Sequence, residues 1–204
     1  MEFPTFFDQA PQLQTYDALS QFLGATPDGL ITYTYADAVK LAGHSCPTVA
    51  GTYLSVIAAL KALYPDEVPQ RGQVSVLMPA TEDEGVMGVM AQVCTLLTGA
   101  AGAGGFKGIA GRFKRNNLLK FNKKSSQSNG IVFTRIDNGK AVGVIFDAST
   151  VPMSNEQRMH MAAAISGTAN QKELGLFAHA WQERVKGLLE RANDGRTVIV
   201  RPLN

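Results

Sequence analysis

Between residues 43 and 47 the chain stops one helix and starts another, which puts Gly43, His44, Ser45, Cys46 and Pro47 at a sharp corner. Upstream, Thr34 followed three residues later by Asp37 is a capping box, Val39 and Leu41 supply apolar side chains, and Gly43 is a natural left-handed stop. Downstream, Pro47 suits the first position of a new helix, whose Val49, Ala50, Tyr53, Ile57 and Leu60 recur at helical spacing. Cys46 is then the N-cap, where the positive end of the helix dipole favours thiolate over thiol. Read singly, a free cysteine packs as a small apolar side chain and a lone histidine caps a helix end. Side by side at a helix-helix corner, an imidazole and a thiol point to a chemical site with His44 and Cys46 as metal ligands or catalytic groups.

The rest of the sequence is that of an ordinary globular chain. Hydrophobic residues make up 45% and charged residues 18% of 204 residues, enough for one sizeable core, so the expectation is a single domain over residues 1–204. No apolar run approaches the roughly 18 residues of a membrane span, and a net charge of +2 is too small to argue for nucleic acid or a membrane surface. The start lacks the layout of a signal peptide and two cysteines are too few for a disulfide framework, so the expected location is a reducing cytoplasm.

Residues 1–30 read as an amphipathic helical extension, because Leu13, Tyr16, Leu19, Phe22 and Leu23 recur at helical spacing, with Phe3, Phe6 and Phe7 docked ahead of it. Residues 73–79 read as a buried strand stopped by Pro79. A second long helix follows, opened by a Thr81–Glu84 capping box, with Glu82, Asp83 and Glu84 in its first turn, buried Cys94 in its middle and Gly99 at its end. Strands are expected at 118–121, 131–136 and 141–146, the last two joined by a tight Asp137-Asn138-Gly139 turn, with a polar turn over 122–129. Two capped helices close the chain over 150–195; Leu174, Phe177, Ala178, Trp181, Val185, Leu188 and Leu189 form the expected buried stripe of the second. A last edge strand is read at 197–200. This order of helices and strands gives an α+β fold with a mixed, largely antiparallel sheet.

The stretch over 99–115 combines Gly102, Gly104, Gly105, Gly108 and Gly111 with Lys107, Arg112, Lys114 and Arg115. Flexible backbone together with positive charge can cradle an anion, so Lys107 and Arg112 are candidate ligand-binding residues in a mobile loop expected to border the His44 and Cys46 site. The stretch matches neither the P-loop pattern nor the dinucleotide fingerprint.

The corner also carries a family resemblance. Gly43-His44-Ser45-Cys46-Pro47 resembles the Gly-His-x-Cys-Pro signature of the FmdE family, named for one component of formylmethanofuran dehydrogenase. Asp37-Ala38 before it, Thr98-Gly99 after the second long helix and Gly139-Lys140-Ala141-Val142 in the predicted hairpin fall in the order that family shows, over about residues 30–190. Ala100 stands where the family often has a cysteine, and the four cysteines of its C-terminal zinc ribbon are absent. The resemblance implies an α+β fold like the catalytic domain of glyceraldehyde-phosphate dehydrogenases, a homodimer, and a bound divalent transition metal: zinc first, then nickel or iron.

The functional expectation is therefore a metal-binding protein holding its ion through His44 and Cys46, either as a metal-dependent oxidoreductase or as an accessory component of a larger enzyme. Haem, held by a Cys-Pro thiolate or a histidine, ranks behind a bare ion. The alternatives are a metal-free thiol enzyme with Cys46 as nucleophile and His44 as its base, and a non-catalytic module binding haem or an anion.

Overall fold

A helix that is apolar on every side must be buried on every side. In the computed structural model, which describes residues 2–122 and 130–203, that helix is α3 (Pro47–Leu63), with eleven of its residues buried. It lies against α2 (Tyr35–Ala42), α4 (Met87–Thr98), α6 (Gln171–Leu189) and one face of a five-stranded sheet. The strands are β3 (Val74–Met78), β4 (Leu119–Phe121), β5 (Ile131–Arg135), β6 (Ala141–Phe146) and β7 (Val198–Leu203), in the order β4-β3-β5-β6-β7. Only the β3–β4 pairing is parallel, so the fold is α+β with a mixed, mostly antiparallel sheet.

Period-two burial sets the register. Leu119, Val76, Phe133 and Val142 face one another across four strands, and all four are buried towards the helices. Pro202 continues that rung on β7, an edge strand, where a missing N–H is tolerated. The expected hairpin between β5 and β6 forms as read, and the expected edge strand runs on to Leu203. The polar turn over 122–129 lies, apart from Asn122, outside the described residues. Among the described residues no helix is long and apolar enough to cross a membrane.

Three expectations are corrected. Residues 1–30 are not a helical extension: a 3₁₀ turn (Thr5–Gln9) leads into β1 (Leu13–Tyr16), a single helical turn α1 (Ala18–Phe22) and β2 (Leu30–Tyr33), which pairs antiparallel with β1. Leu13 and Thr15 point inwards at a spacing of two, and the Asp17 carboxylate ends the strand by accepting from the backbone N–H of Leu19 and Ser20, while Phe22 and Leu23 face solvent. The aromatic start does dock: Phe7 packs edge-on against Tyr35 with ring centres 4.9 Å apart. The Thr81–Glu84 capping box does not open α4, because Gly85 takes a left-handed conformation (φ +57°) and breaks the segment into turns, leaving Glu82, Asp83 and Glu84 exposed ahead of a helix that begins at Met87.

The third correction concerns α6. Its burial begins late, at Val185, Leu188 and Leu189, whereas Leu174 and Ala178 are exposed and Phe177 is half-buried. A 19-residue helix is roughly 28 Å long and outruns the body it packs on. Its first turns pair with α5 (Asn155–Ile165), which has no buried residue, so the two make an arm. Both arm helices open with the expected capping boxes, Ser154 with Gln157 and Asn170 with Glu173.

Candidate functional site

The corner at residues 43–46 is built by caps on both sides. At the start of α2 the Thr34 backbone N–H and hydroxyl both donate to the Asp37 carboxylate at 2.9 Å. Burial alone would raise the Asp37 carboxyl, but these bonds outweigh it and hold it below the usual range. At the end of α2, Gly43 is left-handed (φ +76°) with open space around it, so backbone conformation and not crowding is what selects glycine. The chain then turns His44 outwards and brings Ser45 and Cys46 back to a half-buried position.

His44 Nδ1 lies 2.9 Å from the Ala42 carbonyl oxygen. A carbonyl only accepts, so the proton resides on Nδ1 and the lone pair of the neutral imidazole is on Nε2. Cys46 Sγ accepts from the backbone N–H of Val49 at 3.5 Å, as an N-cap should, and sits at the positive end of a 17-residue helix. The Tyr35 hydroxyl bonds with Ser45 Oγ at 3.0 Å. Burial chiefly pushes that phenol up; the Ser45 bond works against the rise and the neighbouring Cys46 adds to it.

Distant residues that sequence reasoning does not connect to the corner hold it in place. The Ser45 carbonyl accepts from Trp181 Nε1 at 3.0 Å and from Gln182 Nε2 at 3.3 Å, both on α6. The available signal is Trp181 in an otherwise apolar stripe, since a buried indole N–H needs an acceptor. With its nitrogen engaged, Gln182 leaves Oε1 buried and without a hydrogen-bond partner. Buried polar atoms are nearly always paired, and this one belongs to a side chain bonded to Ser45, the residue between the two candidate ligands.

Among the described residues no group of three or more His, Cys, Asp and Glu side chains could hold a metal ion. The corner supplies an imidazole nitrogen and a thiol sulfur, with one buried amide oxygen that lacks a donor among the described residues. That donor chemistry fits a soft divalent ion, with further positions left for water or for a second chain.

No family model and no curated protein matches this chain.

Arg112 is not brought to the corner. Arg112 stacks 4.7 Å over the Phe113 ring, which packs on Phe22, and it shares a groove with Ala18 and Gly72 before β3. Pro47 and Thr48 instead lie beside Pro79, just past the other end of β3. The base of the loop, at Gly102 and Gly104, shares a groove with Leu41 of α2. Part of its backbone is already committed: the amides of Ala101, Gly105, Ile109, Arg112 and Arg115, and of Asn116 and Asn117 just after it, donate to carbonyls within the loop. Arg115 is buried and donates to Asp17 at 2.6 Å, and Arg71 donates to the same carboxylate at 2.8 Å. Burial would raise the Asp17 carboxyl, but the Arg71 bond and the charge of Arg115 overcome it and hold it low.

A cavity of about 320 Å³ opens between the first turns of α3, the start of α4 and strands β5 and β6. Thr48, Thr52 and Ser55 line it from α3, Met87 and Met90 from α4, and Phe146 from β6; neither His44 nor Cys46 does. Its signal in the sequence is the run of small and hydroxyl residues Thr48, Gly51, Thr52 and Ser55 along one side of an otherwise apolar helix. Cys94, as read, is core: it is fully buried and burial pushes its thiol up to about 12.

Proposed function

We propose that the α2–α3 corner binds one divalent transition ion, zinc before nickel or iron, through His44 Nε2 and Cys46 Sγ. The observation that carries this is the pair of local bonds that prepare both donors. The Ala42 carbonyl fixes the His44 tautomer with Nε2 open, a usual arrangement for a ligating imidazole, and the Val49 N–H at the helix N-terminus holds Cys46 Sγ in place. The buried, unpaired Gln182 Oε1 supports it as an acceptor for a ligand or bound water. Bound there, the ion would supply Lewis-acid or redox chemistry; the chain's own residues set the tautomer and the corner's geometry. A bare ion is preferred to haem because neither donor lines the apolar cavity. The resemblance to the FmdE family supports the same reading, and the homodimer it implies makes a second copy of the chain one source of the missing ligands.

Elemental analysis of protein purified without chelator and supplied with zinc, nickel or iron tests it. About one ion per chain is expected, reduced in His44→Ala and in Cys46→Ala. Wild-type protein that retains none of the three ions overturns the metal reading. The thiol-enzyme reading rests on the same N-cap, and a low-pH thiolate titration of Cys46 in metal-free protein would then favour it.

A further inference from the structure

The cavity between α3, α4 and the β5–β6 strands has a polarity that selects its ligand. We propose that it binds a neutral, largely apolar small molecule carrying one hydrogen-bond donor. This does not rest on the metal reading, since neither candidate metal ligand lines the cavity.

Among the described residues no charged side chain lines it. An ionised group entering it would lose water and find no counter-charge among them, which is strongly unfavourable. Two of its hydroxyls are polar in one sense only. The Thr52 hydroxyl donates to the Thr48 carbonyl at 2.9 Å, and the Ser55 hydroxyl donates to the Gly51 carbonyl at 2.7 Å. With both protons committed, what these oxygens can offer a ligand is lone pairs. A carboxylate or phosphate, itself only an acceptor, meets acceptors there, whereas an N–H or O–H is satisfied. Thr48, half-buried at the start of the helix, keeps an uncommitted hydroxyl that serves either role.

The walls combine a fixed side with an adaptable one. The Phe146 ring lies directly on α3 at Gly51, where an added Cβ would stand 2.2 Å from a ring carbon, so glycine is what lets the aromatic wall close against the helix. Across from it, Met87 and Met90 are half-buried and flexible enough to fit a range of apolar shapes. A volume of about 320 Å³ is within the range of small-molecule sites.

The test uses two probes that share a ring skeleton and differ in charge: N-phenyl-1-naphthylamine, neutral with one N–H, and 1-anilinonaphthalene-8-sulfonate. Fluorescence titration of the full chain should show saturable binding of the neutral probe, with the sulfonate weaker by about tenfold or more. Met90→Trp, which fills the cavity, should weaken the neutral probe by about tenfold or more, and Met87→Phe provides a second filling should the first variant not fold. Absence of saturable binding, equal or tighter binding of the sulfonate, or unchanged binding in a folded cavity-filling variant each overturns the proposal.

Discussion

The loop over 99–115 and the corner over 43–46 both carry the residue types of a binding element, and the structure treats them in opposite ways. The loop has the glycines and the positive charge, yet five of its amides donate to its own carbonyls and its innermost arginine is paired with Asp17. The corner has little charge, but the preparation of its donors ends at atoms with no hydrogen-bond partner among the described residues: His44 Nε2 beyond a bonded Nδ1, and Gln182 Oε1 beyond a bonded Nε2. Composition identifies which stretches are rich in donors and acceptors. Whether a stretch binds anything depends on which of those groups folding leaves open.

The largest effect should come from breaking the loop's internal pairing. Asp17→Asn keeps the shape and removes the charge that buried Arg115 and half-buried Arg71 share, so it should lower stability by about 3–5 kcal/mol in denaturant unfolding, while metal content stays at the wild-type level. The same pair gives a pH dependence. Because the Asp17 carboxyl is held below its ordinary value of 3.8, its contribution is fully present above that pH and is lost as the pH falls through the depressed folded value. The stability gap between wild type and Asp17→Asn should therefore be constant from neutral pH down to about pH 5 and narrow towards about pH 2. A gap that widens on acidification would show that the carboxylate is not stabilised by its arginines.

A smaller effect is expected at the corner. Trp181→Phe removes one of two donors to the Ser45 carbonyl and should cost about 1 kcal/mol, with a fall in metal retention that the Asp17 variant does not show. Equal metal retention in wild type and Trp181→Phe would mean that α6 does not position the ligands. The smallest effect belongs to the loop's tip: Arg112→Ala should stay within about 0.5 kcal/mol of wild type and leave metal content unchanged. A drop in metal content there would erase the distinction between the two regions.

The helix ends and the hairpin are legible because each depends on residues within a few positions. Gly43 and Gly99 stop their helices, Cys46 and Pro47 start α3, and Asp137-Asn138-Gly139 joins β5 to β6, all through local backbone preferences that act before any tertiary contact. The N-terminal segment misleads because Leu13, Tyr16, Leu19, Phe22 and Leu23 fit a helical period by spacing alone. Pairing with β2 and the Asp17 cap decide otherwise.

The sequence by itself determined that a thiol caps a long buried helix a few residues after another helix ends, and that an imidazole stands between them. Tertiary structure alone decided which polar groups remained available around them. Trp181 and Gln182 reach Ser45 across 136 and 137 residues, and Arg115 reaches Asp17 across 98. Contacts of that separation leave no periodicity or cap in the chain, because the burial that makes them favourable exists only once the sheet and α3 have packed.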